Sequence, residues 1–326
     1  MVNKYQIRVY NKEDAEIWNA FVSNSPNATF LFNRNFMDYH SDRFLDFSLM
    51  IFSAQKLVAI LPANRVGDKV YSHQGLTYGG LVVTAKTKVD DVINILKEIL
   101  KYLEQQSIKV LQIKVLPSIY CKTPSEAIEY VLFLAKATLI RRESGSTIDL
   151  NSKFKYSTQK KYSVSLASKK GLEIRENSEL EEFYNLVLIP NLENTFSAKP
   201  VHSVEEMRSL QKAFPKNIRS FFVYHEKTMV AGTILFETET LVHTQYISAD
   251  KSKMELNALN FLFDYLIKYV FADKKYFDFG TSNMENGQKL NAGLAYWKES
   301  FGARTFVQDC YEVETSNYKF LNDVFI

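Results

Sequence analysis

Asp278-Phe279-Gly280-Thr281-Ser282-Asn283-Met284-Glu285-Asn286-Gly287-Gln288-Lys289-Leu290-Asn291-Ala292-Gly293-Leu294-Ala295-Tyr296-Trp297-Lys298-Glu299-Ser300-Phe301-Gly302 joins a short apolar strand, residues 276–279, to a helix. The loop between them is rich in amides and glycine. Turns at the carboxyl ends of strands in open α/β sheets are where ligands usually sit. The same residues also read as a capped helix whose Asn283 and Asn286 side chains close a turn. Upstream, Leu256, Leu259, Phe263, Leu266 and Val270 share one helical face. Before them come a strand over 241–249 carrying His243, and a hairpin of 221–225 and 229–237 that turns at Glu226-Lys227-Thr228.

The first half repeats this order. Residues 47–52 and 57–65 form a hairpin about Ala54-Gln55-Lys56, and a Gly- and Tyr-rich segment with His73 on a strand follows. Val92, Ile95, Leu96, Ile99, Leu100 and Leu103 then mark one buried helix face, and Leu111, Ile113 and Val115 alternate with polar residues in a strand. The offset between the halves is roughly 170 residues, the size of one domain. The pattern predicts an α/β protein with mixed sheets and two similar domains, 1–147 and 148–315, joined near 144–151, where Glu143-Ser144-Gly145-Ser146 breaks the pattern.

Bulk properties narrow the function classes. Of 326 residues 46% are apolar and 24% charged, an ordinary globular balance, and a net charge of +3 gives no general nucleic-acid signature. DNA is therefore not an expected partner. Cys121 and Cys310, the only cysteines, fit no metal or redox spacing and point to a reducing compartment, so a cytoplasmic location is expected. No apolar run approaches the ~20 residues a membrane-spanning helix needs. Gly-x-Gly-x-x-Gly, Walker, Cys-x-x-Cys and His-Glu-x-x-His motifs are absent, and no metal site is predicted. Asp278-Phe279-Gly280 lacks the companion motifs of a kinase.

Three blocks in order carry a family likeness. The stretch 278–302 resembles the C-terminal signature of FemAB-like proteins, members of the GNAT (Gcn5-related N-acetyltransferase) superfamily. Tyr71-Ser72-His73-Gln74-Gly75-Leu76-Thr77-Tyr78-Gly79-Gly80 resembles a segment of their N-terminal half, and residues 157–171 resemble the basic helix that opens their second half. The resemblance implies tandem GNAT-like folds, with residues 316–326 returning to the first domain. It also implies amide formation, in which an amine attacks an acyl group carried on coenzyme A or on tRNA. Acyl-coenzyme A, or aminoacyl-tRNA in its place, is then a co-substrate rather than a tightly held cofactor. The acceptor is an amine on a sugar-nucleotide, cell-wall or polysaccharide precursor. Transfer from aminoacyl-tRNA to a peptidoglycan precursor, and a binding protein that kept the fold without the chemistry, are the rival readings.

Such chemistry needs a base for the amine proton and donors for a tetrahedral oxyanion. Lys298 matches the lysine of the family's aromatic-Lys-x-x-Phe-Gly pattern and is the expected donor; otherwise it is a surface lysine beside Glu299. His243 has the side chain best suited to proton transfer at neutral pH, although a lone strand histidine is commonly structural. It shares a strand face with Gln245. Tyr296 is a candidate acid for a departing thiolate, or packs beside Trp297. Coenzyme A-using relatives place a glycine-rich turn before the long helix, where backbone N–H groups meet pyrophosphate. Here Asp250-Lys251-Ser252-Lys253-Met254-Glu255-Leu256-Asn257-Ala258 has no glycine, so Lys251, Lys253 and Asn257 are the donor-site candidates. On the basic helix, Lys160 and Lys161 are candidates for gripping a diphosphate, although charge runs are usually solvated faces. His73, Tyr78, Gln245, Asn283, Asn286 and Trp297 complete the candidates for the acceptor cleft.

Overall fold

The computed structural model describes residues 4–196 and 198–326. In chain order it contains β1 (Gln6–Val9), α1 (Ala15–Asn24), α2 (Arg34–Met37), β2 (Leu49–Ser53), β3 (Lys56–Leu61), β4 (Asn64–Val66), β5 (Lys69–Tyr71), β6 (Val82–Val83), α3 (Val89–Gln105), β7 (Val110–Lys114), α4 (Ala127–Leu134) and β8 (Thr138–Asp149). These are followed by α5 (Thr158–Ala167), β9 (Leu172–Glu176), α6 (Leu180–Phe183), α7 (Ile189–Phe196), α8 (Val204–Ala213), β10 (Ile218–His225), β11 (Thr228–Glu237), β12 (Leu241–Ala249), α9 (Ala258–Tyr265), β13 (Tyr276–Thr281), β14 (Asn283–Met284), β15 (Lys289–Leu290), α10 (Ala292–Glu299) and β16 (Arg304–Glu314). Two units result, Met1–Glu143 with Val307–Ile326, and Ser144–Phe306.

In the first unit β1-β2-β3-β6 form an antiparallel sheet, and β4, β5, β7 and β16 lie side by side with β5 parallel to β7. The β2–β3 turn places Ala54 at φ +45° and Gln55 at +66°, the paired left-handed residues of a tight hairpin. The helix read from Val92 to Leu103 is α3, and its six apolar positions are all buried in one core with β2, β3 and β7. That core also takes Val313 and Leu321 from the chain's last segment. Residues 57–65 are not one strand: Pro62, with no N–H to give a ladder, separates β3 from β4, which joins the other sheet. His73 is not on a strand either, but in a turn after β5 at φ +65°.

The second unit orders its strands β8-β13-β12-β11-β10-β9. The stretch Glu143-Ser144-Gly145-Ser146, read as the break near the junction, lies where the two units divide and also continues β8, which pairs with β13 from Gly145 to Asp149. The small residues that imitate a linker are a packing requirement, since a Cβ on Gly145 would lie 2.2 Å from the Phe306 ring. One face of this sheet is covered by α9 and holds Val242, Ile247, Ala249, Phe277 and Phe279, among others. The opposite face meets the π-helical turn Tyr184–Leu188 between α6 and α7, where Ser248 donates to the Val187 carbonyl at 3.0 Å.

Candidate active site

β12 and β13 run parallel but share only three rungs, Leu241↔Tyr276, Val242↔Phe277 and His243↔Asp278. β12 continues to Ala249 and β13 to Thr281 without further pairing to each other. The last rung therefore marks the root of a fork. A bulge at Gln245, where the register with β11 passes from Leu235↔Thr244 to Ile234↔Tyr246, resets the alternation. Val242 and Ile247 thus both face α9, while His243, Tyr246 and Ser248 face the other side. Gln245 is the extra residue of the bulge, and its side chain meets that of Tyr246.

At the root, His243 Nδ1 lies 2.7 Å from Asp278 Oδ2, with Asp278 fully buried and His243 partly so. A carboxylate only accepts, so Nδ1 carries the hydrogen and the acceptor lone pair sits on Nε2. The other carboxylate oxygen, Oδ1, accepts the Gly280 N–H at 2.8 Å. Gly280 holds φ +70°, which glycine adopts without penalty, and a Cβ there would sit 3.1 Å from His243 Cε1. Lys298, on α10, is 2% exposed and donates to the carbonyls of Gly280 at 3.0 Å and Thr281 at 2.7 Å. Burial pulls its ammonium down to about 8, and the Asp278 charge opposes that shift. Lys298, Gly280, Asp278 and His243 thus form one connected chain.

On the α9 face the second unit opens a cleft of about 430 Å³. It is lined by Ser157, Gln159, Lys160 and Ser163 of the α5 region, by Lys253, Asn257 and Asn260 before and in α9, and by Tyr296, Trp297 and Ser300 of the α10 region. No Asp or Glu is among the lining residues. Lys160, 5% exposed, donates to Asn260 Oδ1 at 2.6 Å and stands 4.7 Å from the Trp297 ring and 3.9 Å from that of Phe301. Trp297 Nε1 donates to the same amide oxygen at 3.0 Å, and Asn260 Nδ2 donates to Asn257 Oδ1 at 3.1 Å. Burial lowers Lys160 to about 7. Asn257 takes the left-handed conformation (φ +54°) at the start of α9, a conformation asparagine tolerates better than most residues. It supplies by backbone geometry what a glycine turn would.

The remaining candidates are scattered. Tyr296 is 60% exposed at the cleft mouth, its hydroxyl 3.3 Å from Gln159 Oε1. Lys161 and Lys251 are exposed and do not line the cleft. Asn283 closes a turn, accepting from Ser144 N at 2.7 Å and donating to the Gly287 carbonyl, and Asn286 sits in that turn at φ +54°. His73 and Tyr78 belong to the first unit. His73 stacks on His40, and burial lowers its imidazole to about 3; the Tyr78 hydroxyl donates to Thr29 in the core. Two residues central to the site were not singled out from sequence. Asp278 is the single acid in an apolar strand, a signal that was available. Asn260 gave none, because an amide on a helix is unremarkable until its neighbours are known.

Neither a protein-family model nor a curated protein sequence matches the chain. Its structure does match solved ones. FemX superposes with a TM-score of 0.67 at 10% identity, covering 97% of this chain and 99% of FemX. The chain carries the FemAB-like GNAT fold. L-PGS from Bacillus licheniformis matches with a TM-score of 0.59 at 12% identity over 92% of this chain and 91% of that one. A tandem GNAT protein from the clavulanic acid biosynthesis pathway gives 0.52 at 9% identity over 95% and 98%. At these identities the likeness is one of fold over nearly the whole chain, and the mixed-sheet, tandem GNAT architecture read from sequence is the observed one. Among the described residues no helix is long and apolar enough to cross a membrane, and no group of three His, Cys, Asp or Glu side chains is placed to hold a metal ion.

Proposed function

We propose that the chain is an N-acyltransferase that receives an acyl donor bearing phosphate in the α9 cleft and an amine acceptor on the opposite sheet face, with His243 as base. The observation that carries this reading is the fork: a buried carboxylate–imidazole pair at the point where two parallel strands part. The cleft supports an anionic donor, since it presents Lys160, Lys253 and the first turn of α9 and no carboxylate. In this reading an acyl arm entering from there reaches His243 through the gap between β12 and β13. The amine nitrogen attacks the activated carbonyl, a C–N bond forms, and His243 Nε2 takes the amine proton. The carrier then leaves with its electron pair, and in this reading Tyr296 gives it a proton if it departs as thiolate. Lys298 acts as a positioning residue, because two of its three N–H groups fix the backbone that holds Asp278. The acceptor class that the FemAB likeness favours is an amino group of a sugar-nucleotide, cell-wall or polysaccharide precursor.

Aminoacyl-tRNA is the second donor reading. It is favoured by residues 150–172, which hold six lysines and no acid. Of these lysines only Lys160 is buried, which leaves the others exposed beside the cleft.

Thermal shift separates the two. A donor present at a hundredfold its Kd stabilises the protein by about 2.7 kcal/mol. Acyl-coenzyme A should do so with little salt dependence. Stabilisation by charged tRNA alone, falling steeply with salt, would replace the small donor by the nucleic acid. Release of free thiol from acetyl-coenzyme A in the presence of amino-sugar nucleotides, lost in His243→Ala, tests the chemistry.

A further inference from the structure

Among the described residues no carboxylate pairs with the buried Lys160. Its ammonium is enclosed by Trp297, Phe301 and Asn260, and its hydrogen-bond acceptor is a neutral amide oxygen. The charged and titratable groups on the packed elements do not neutralise it. Lys253 and Tyr296 also line the cleft, and neither is a carboxylate. Asp264 of α9 is ion-paired with Lys268 at 2.6 Å, Glu299 of α10 is exposed, and Lys298 is turned to the Gly280 and Thr281 carbonyls. Lys161, the next residue on α5, points to solvent. β11 and β12 contribute only Val230 and Ala249 to the lining.

Resting on the phosphate-bearing donor proposed above, we infer that Lys160 binds its proton together with the donor: burial favours the neutral amine in the free protein, and a phosphate entering as counter-ion charges it. Burial without a partner disfavours the ammonium, consistent with its fall to about 7, and an adjacent phosphate reverses that preference. The aromatic walls then stabilise the charged form as a cation–π box. The sign of the linkage is fixed. Below the free value Lys160 is charged with or without donor, so affinity does not change with pH. Above it each bound donor draws in a proton, and Kd rises by up to tenfold per pH unit until the bound-state value is reached.

Calorimetric titration with dephospho-coenzyme A tests this, because its diphosphate diester keeps a fixed charge across neutral pH. At pH 8, in two buffers of different ionisation enthalpy, wild type should take up close to one proton per ligand bound. Lys160→Arg, whose guanidinium stays charged, should bind without proton uptake and with a Kd that is flat from pH 6.5 to 8.5. Lys160→Met should weaken binding at pH 6.5 more than at pH 8.5. Melting curves of each variant control for folding. Binding by wild type without uptake, or uptake that persists in Lys160→Arg, overturns the linkage and leaves the donor reading standing. Failure of wild type to bind the probe at any pH overturns the donor reading and the linkage with it.

Discussion

His243 and Asp278 face each other across the last rung that β12 and β13 share, with Nδ1 and Oδ2 2.7 Å apart. Neither strand alone places them: the three-rung ladder puts an imidazole held by a carboxylate at the root of the fork. The carboxylate is itself tied to the Gly280 N–H, so the ring has one orientation to adopt.

Removing the base should cost about 10²–10⁴ in kcat, the usual contribution of a positioned proton-transfer group. His243→Ala is expected to fall in this range with donor KM little changed. Asp278→Asn keeps the shape but no longer enforces the Nδ1–H tautomer, and should lower kcat nearly as far. Pre-steady-state rates measured across pH 6 to 9 check both. Retention of full activity by either variant would falsify the assignment of the dyad.

Lys298 is held too deeply to be replaced quietly. Lys298→Met leaves the Gly280 and Thr281 carbonyls without their donor, and a buried group so stranded costs about 1–3 kcal/mol. Because the folded-state lysine sits near 8 and an unfolded one near the normal value of about 10.5, the unfolded chain binds more protons between these limits. This group's contribution to stability therefore rises as pH climbs from about 8 to about 10.5. Urea midpoints of wild type and Lys298→Met at pH 7.5 and 9.5 should show that rise in wild type and a smaller one in the variant.

Much of the fold was legible because it is written in periodicity. The α3 face and the two hairpins follow from apolar spacing, which any tertiary context must bury. What was not legible depended on register and partners. A strand can be recognised at 241–249 without knowing that Gln245 is bulged, and so without knowing which side chains accompany His243. The small residues at 144–146 mark the division of the units, but that they lie in a strand follows only from Gly145 admitting Phe306, a contact between positions far apart in sequence. Lys160 stands in a run of solvated lysines, and nothing local distinguishes it from Lys161. Only the aromatic residues of α10 and the amide of Asn260 make it a buried cation.

Asn257 offers a test of the donor site that leaves the dyad untouched. Its φ of +54° is adopted by glycine at no cost and by most other side chains at roughly 1 kcal/mol. Asn257→Gly should keep the backbone approach to a phosphate and lose the side-chain hydrogen bonds to Asn260 and to the Glu255 carbonyl. Asn257→Val should strain the turn, weaken donor binding at least tenfold and leave the unfolding midpoint within a few degrees. Equal donor affinity in all three proteins would mean that this turn does not meet the donor.

Burial of His73 makes the first unit sensitive to acid. Its ring is buried against His40, and the positive charges of Arg34 and Lys114 add to the burial that lowers it to about 3. An unfolded histidine titrates near 6.5, so below that pH the unfolded chain binds a proton that the folded one refuses. Stability from this group is complete above about 6.5 and drains away as pH falls towards 3, by about 2 kcal/mol at pH 5. His73→Asn tolerates the residue's φ of +65° and carries no titrating group. Its denaturation midpoint should lie below that of wild type at pH 7.5 and change less than the wild-type midpoint between pH 7 and pH 5. Parallel loss of stability in the two proteins over that interval would assign the acid sensitivity to other groups.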